Sequence, residues 1–105
     1  MKLIRAIVRP EKVDEIVDEL KQAGYPALTR MDVVGRGKQM GIRVGSVHYD
    51  EIPKVMLMIV ADDGKVEEIM GIIARAGYTG NFGDGKIFVS PVEDAYTIRT
   101  GSREL

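Results

Sequence analysis

Lys12-Val13-Asp14-Glu15-Ile16, followed by Ala23-Gly24-Tyr25, recurs later in the chain as Lys65-Val66-Glu67-Glu68-Ile69 followed by Ala76-Gly77-Tyr78. Sliding the sequence by the separation of Gly24 and Gly77 aligns both pairs at once, the mark of a duplicated structural unit. In the first copy Val13, Ile16, Val17 and Leu20 fall on one face of a helix. Pro10 opens that helix with a preset φ, and Gly24 accepts the left-handed conformation that closes it. The second copy repeats the stripe with Val66, Ile69, Met70 and Ile73, from an Asp62-Asp63 start to Gly77. Strands are expected at 3–9, 27–34, 55–61 and 86–92, with a shorter extended segment at 95–100. Two strand-helix-strand units side by side make an α+β fold, a ferredoxin-like double βαβ antiparallel sheet with two helices on one face.

Such a sheet should alternate apolar with polar residues on its uncovered side, yet Val55-Met56-Leu57-Met58-Ile59-Val60 is apolar on both faces. Either the strand is parallel and doubly covered within the monomer, or the second face is buried by self-association. With only two helices to hand, association is favoured.

Composition narrows the classes of function. The 105 residues suffice for a single domain spanning 1–105. Fifteen basic against sixteen acidic residues leave a net charge of -1, so no global positive field favours nucleic acid. The absence of cysteine excludes disulfides, thiolate catalysis and cysteine-ligated metals, and His48 is the single histidine. No apolar run approaches a membrane span and the first residues do not make a signal peptide, so no membrane insertion and a cytoplasmic protein are expected.

Two stretches lie outside the scaffold. Residues 35–53 connect strands 2 and 3 with far more chain than a hairpin needs, rich in glycine and charge, and long loops of this kind are functional or disordered. His48 and Tyr49 there lack an accompanying nucleophile, acid or metal cluster and read as solvated or contact residues. The other stretch, residues 79–86, is Thr79-Gly80-Asn81-Phe82-Gly83-Asp84-Gly85-Lys86. Its glycines let backbone N–H groups converge and Lys86 adds a positive charge, but a phosphate cradle and an ordinary glycine turn remain equally open on this chemistry. Gly80 to Lys86 matches the start of a Walker A motif, but Ile87 replaces the Ser or Thr that would hold Mg²⁺ and a strand follows, so this is no P-loop NTPase. The run from Gly35 to Gly41 is one residue too long for a dinucleotide fingerprint and opens no helix.

Over nearly its full length the chain resembles the PII signal-transduction family. The resemblance rests on Met1-Lys2-x-Ile4-x-Ala6-Ile7 with Pro10, on Gly35-x-Gly37-Lys38-Gln39-x-Gly41, on the Thr79 to Phe88 loop and strand, and on Ile98-Arg99-Thr100-Gly101. It implies a trimer, with a flexible loop rising from each subunit and ATP or ADP in the clefts between neighbours. By that resemblance Gly83, Gly85 and Lys86 cradle the phosphates, Arg99 of the adjacent subunit adds charge, and Thr29 and Val60 line the adenine pocket. Gly35, Gly37, Lys38, Thr79 and Asp84 complete the ATP site. Gln39 coordinates Mg²⁺ together with ATP and 2-oxoglutarate, Gly41 contributes backbone, and Lys54 pairs with a 2-oxoglutarate carboxylate.

The departures from the family pattern point to a branch. The long loop is a few residues short and lacks the tyrosine modification motif, so uridylylation is not expected. Thr97 and Met58 stand where members often carry arginine and glutamate. Asp32-Val33-x-Gly35, Val44-Gly45, Tyr49-Asp50-Glu51 and Tyr96-Thr97-Ile98-Arg99 are similar to the nitrogen-fixation branch, whose members occur as paired sister subunits. The resemblance implies a homotrimer or a hetero-oligomer with a sister subunit. It also implies direct inhibition of dinitrogenase, relieved by 2-oxoglutarate with MgATP. The alternative within the family is a general regulator of an ammonium transporter or glutamine synthetase. An RNA-binding module lacks the exposed aromatics it needs, and an enzyme lacks an activated nucleophile or acid-base pair.

Overall fold

The computed structural model describes residues 1–38, 42–49 and 51–105, with Tyr49 described in its backbone alone. Gln39 and Gly41, expected at the 2-oxoglutarate and Mg²⁺ site, lie outside the described residues. The elements run β1 (Lys2–Val8), α1 (Val13–Gln22), β2 (Thr29–Gly35), β3 (Ile42–Val44), β4 (Val47–Tyr49), β5 (Ile52–Ala61), α2 (Val66–Gly77) and β6 (Gly85–Pro91). The main sheet has the order β2-β5-β1-β6 and is antiparallel throughout, the ferredoxin-like arrangement the repeat predicts. β5 is thus antiparallel to both neighbours, and the doubly covered parallel strand is ruled out.

The two helices begin alike. A 3-10 turn, Pro10–Lys12 before α1 and Asp63–Lys65 before α2, is closed by a backbone bond from Lys12 to Arg9 at 3.0 Å and from Lys65 to Asp62 at 2.9 Å. Acidic residues fill both first turns, Asp14 and Glu15 in α1 and Glu67 and Glu68 in α2, where the helix dipole favours negative charge. Their ends differ. Gly24 takes φ 95° and the Tyr25 N–H reaches back to the Leu20 carbonyl at 2.8 Å, a Schellman stop. Gly77, aligned with Gly24 in the repeat, instead ends α2 in the helix, and a Cβ there would stand 3.3 Å from Ile16 Cδ1. Its smallness lets the helices approach; it is not the left-handed cap that the alignment suggests.

The core is one layer between sheet and helices. Ile4, Ala6 and Val8 of β1 and Val55, Leu57 and Ile59 of β5 alternate inward to meet Val13, Ile16 and Leu20 of α1 and Val66, Ile69, Ile72, Ile73 and Ala76 of α2. Ile72 and Ala76 widen the predicted stripe of α2, while Met70 is only half-buried. Directly opposed residues share a face, so Leu3, Arg5 and Ile7 of β1 lie beside Val60, Met58 and Met56 of β5 on the side away from the helices. Val60 there is 41% exposed and Phe88 49%, so the apolar second face noted in the sequence stands open in the monomer.

The described residues between 35 and 53 are more regularly paired than the glycine content suggests. The β2–β5 ladder continues to Gly35 opposite Ile52, and β3 and β4 form a separate two-stranded ribbon joined at Gly45, whose φ is 60°. The molecule measures 55 × 23 × 20 Å. The expected extended segment at 95–100 is not a strand. The chain there leaves the sheet and turns, with the Gly101 N–H bonded to the Thr97 carbonyl at 2.7 Å and the Thr97 N–H to the Ser102 carbonyl at 2.8 Å.

Candidate binding site at the glycine-rich end of the sheet

Strand register decides which candidate residues meet. Val8 pairs with both Val55 and Gly85, and Val55 with Asp32, so the end of β1, the start of β5, the start of β6 and the end of β2 form one edge of the sheet. That edge carries Gly35, with the exposed Gly37 and Lys38 beyond it, Lys54, and the loop from Thr79 to Lys86.

The loop is folded around the Asp84 carboxylate. Its oxygens accept the Thr79 N–H at 2.8 Å, the Gly80 N–H at 2.9 Å, the Thr79 hydroxyl, and Arg9 Nε at 2.9 Å. The Thr79 hydroxyl first and then the Thr79 amide hold the carboxyl well below the usual range, with burial opposing them and Arg9 and the Gly80 amide adding smaller support. A depressed folded-state value means that ionised Asp84 supports the fold above its unfolded value of about 4 and that this support is lost as the pH falls through the acid range. Unfolding free energies of the native chain and Asp84→Asn should therefore differ most near neutrality, and the difference should shrink steadily as the pH falls below about 4, as measured by urea denaturation across that range.

Two cations converge on the centre of the loop. Arg9 Nη2 donates to the Phe82 carbonyl at 2.8 Å, and Lys54 Nζ donates to the Gly83 carbonyl. A Cβ on Gly83, where φ is 99°, would lie 3.4 Å from both Arg9 Nη2 and Lys54 Nζ. Arg9 is balanced by Asp84 and, at 3.8 Å, by Glu11. Lys54 is 9% exposed, and among the described residues no carboxylate comes within ion-pair distance of it. Burial, then the charge of Arg9, lowers its pKa, with Glu11 and Asp84 acting weakly in the other direction.

Gly85 is the tightest point. Its φ is 110°, and a Cβ would overlap the Ile7 carbonyl oxygen and stand 2.9 Å from the Ile7 carbonyl carbon. Lys86, exposed and opposite Ile7, projects on the open face.

Other predicted residues are not gathered here. Thr29 is opposite Met58 on β2 and Val60 opposite Leu3 on β5, both on the open face away from the glycine-rich edge. β2 and β6 are opposite edges of the sheet, about 14 Å apart for three strand spacings, so Thr29 and Lys86 of one chain do not close on a common point. Arg99 sits exposed in the carboxyl-terminal turn and makes no ion pair or hydrogen bond among the described residues. Arg9, whose contacts organise the loop, carries no role in the sequence reading, although the pairing of β1 with β6 would have set it opposite Asp84.

The donors at this edge are backbone amides and ammonium groups, which suit a polyanion. No group of three or more His, Asp or Glu that could hold a metal is present among the described residues, so Mg²⁺ fits this part of the edge only as a companion of ligand phosphates. Among the described residues no helix is long and apolar enough to cross a membrane.

The arrangement is a ferredoxin-like α+β domain with a clasped glycine loop beside a buried lysine. The family described as "Nitrogen regulatory protein P-II" matches residues 1–102. A protein of Methanobacterium ivanovii named "Nitrogen fixation nifHD region GlnB-like protein 1" is 60% identical over 105 residues, 100% of both chains. One of the same name from Methanothermobacter marburgensis is 61% identical over 100 residues, 95% of each chain. A "Nitrogen fixation nifHD2 region GlnB-like protein 1" of Methanosarcina barkeri is 53% identical over 105 residues, 100% of both. The chain belongs to the nitrogen regulatory P-II family, in its nitrogen-fixation-associated PII-like branch, and is a signal-transduction regulator, not an enzyme.

Proposed function

We propose that this nitrogen-regulatory protein binds ATP and 2-oxoglutarate and inhibits nitrogenase in the cytoplasm by direct binding to dinitrogenase, letting go when 2-oxoglutarate and MgATP rise. The observation that carries the reading is Lys54, a buried residue whose part-buried ammonium has a backbone carbonyl as its protein partner and no carboxylate beside it among the described residues. A buried cation is costly unless paired, and a ligand carboxylate supplies the pair. Gly83, Gly85 and Lys86 hold the phosphates, with Thr79 and Asp84 shaping the loop and Gly35, Gly37 and Lys38 closing the site. Gln39 coordinates Mg²⁺ carried by ATP, and Gln39 and Gly41 meet 2-oxoglutarate beside Lys54. The open apolar face supports assembly as a trimer, alone or with a sister subunit. In that assembly Arg99, Thr29 and Val60, scattered in one chain, come from neighbouring subunits to complete each ATP site.

Because Lys54 stands at the root of the β3–β4 ribbon, a ligand there favours one ribbon arrangement by its differential binding energy and so changes partner affinity. Immobilised protein should retain dinitrogenase from nitrogen-fixing cells and release it on addition of MgATP with 2-oxoglutarate. Retention that ignores both ligands would refute the switch, and capture of an ammonium transporter or glutamine synthetase instead would refute the target.

A further inference from the structure

Arg9 directly follows β1, yet its guanidinium reaches the glycine loop at two points, Asp84 Oδ1 at 2.9 Å and the Phe82 carbonyl at 2.8 Å. Asp84 in turn gathers the amides of Thr79 and Gly80 and the Thr79 hydroxyl. Every polar tie just named between the first and last residues of the loop passes through this carboxylate, and Arg9 ties it to β1. We infer that Arg9 is the positioning residue of the nucleotide loop: its two-point grip on Asp84 and Phe82 sets the direction of the backbone donors from Gly83 to Gly85. This rests on the reading of that loop as the ATP phosphate site.

The geometry distinguishes this role from direct phosphate contact. The Arg9 guanidinium is engaged by Asp84, Phe82 and, more distantly, Glu11. It is planar and forked, so one side chain can satisfy the carboxylate through Nε and the carbonyl through Nη2; a lysine ammonium has the charge without the fork. Arg9→Lys should therefore behave like Arg9→Gln, whereas a residue acting by charge on the phosphates would be largely rescued by lysine. Arg9 and Asp84 also act in series, so removing either should have the same effect as removing both.

The test uses the full chain. In the absence of nucleotide, ¹H–¹⁵N spectra of Arg9→Gln and Arg9→Lys should show the Thr79 and Gly80 amides shifted and exchanging faster, with the amides of Leu57 and Ile59 in the core unchanged. Calorimetry with ATP should give roughly tenfold weaker binding for Arg9→Gln, Arg9→Lys and Asp84→Asn alike, and the same loss for Arg9→Gln combined with Asp84→Asn. Unshifted Thr79 and Gly80 amides would overturn the inference, as would losses that multiply in the double variant or a lysine variant that binds ATP normally. If the native chain bound no ATP, the functional reading would fall while the amide spectra still decided whether Arg9 sets the loop.

Discussion

Gly85→Ala should be the most damaging single-methyl change in the glycine loop. The new Cβ would overlap the Ile7 carbonyl oxygen in the neighbouring strand, and φ 110° is a region that side chains rarely enter. Backbone strain and forced overlap together cost about 2–6 kcal/mol, a large share of the roughly 5–15 kcal/mol that holds a typical domain folded. Relief requires separating β6 from β1 at the pair of Gly85 with Val8, the same edge that carries the loop. Loss of soluble folded protein, or a large drop in the urea midpoint, is the expected result. Gly71→Ala is the control. Gly71 lies on the exposed side of α2 with nothing within 4 Å of an added Cβ, and alanine there should leave stability unchanged or raise it by about 0.5–1 kcal/mol. Equal behaviour of the two variants would show that close approach to Ile7 is not what requires glycine at position 85.

Lys54→Met should remove 2-oxoglutarate binding while the protein stays folded. Methionine keeps an unbranched apolar stem and deletes the ammonium of a residue that is 9% exposed, a group paired only with the Gly83 carbonyl among the described residues. Deleting one member of a buried, hydrogen-bonded charge pair costs about 2 kcal/mol or more, or at least about 30-fold in affinity. The fold should not suffer comparably, because the unliganded protein loses a desolvated cation as well as a hydrogen bond. Calorimetry with 2-oxoglutarate and MgATP checks the first claim, and urea denaturation the second. Dinitrogenase captured by the variant should no longer be released by the two ligands. Native-like 2-oxoglutarate affinity in Lys54→Met would remove the observation on which the proposed function rests.

Much of the scaffold was legible because its signals are local. The repeated Lys-Val-acid-acid-Ile and Ala-Gly-Tyr motifs, the helical stripes and the two-sided apolar run of β5 announced two equivalent units and an open sheet face. Ile42-Arg43-Val44 and Val47-His48-Tyr49 around Gly45-Ser46 also carry the alternation of a ribbon, but the surrounding glycine and charge obscured it. Gly24 and Gly77 show the limit of such reading. They align within the repeat, yet one ends a helix by its positive φ and the other by its size admits Ile16.

The sequence by itself thus determined the two helices, the four strands of the main sheet, the duplication, and the presence of a glycine loop with a lysine at its exit. Only the tertiary structure decided what that loop touches. Arg9 lies 75 residues from Asp84 and Lys54 lies 29 from Gly83 along the chain. No local pattern encodes which strand ends will be neighbours. The antiparallel register does so, by setting Val8 against both Val55 and Gly85, and it thereby converts an ambiguous glycine turn into a clasped loop flanked by two cations.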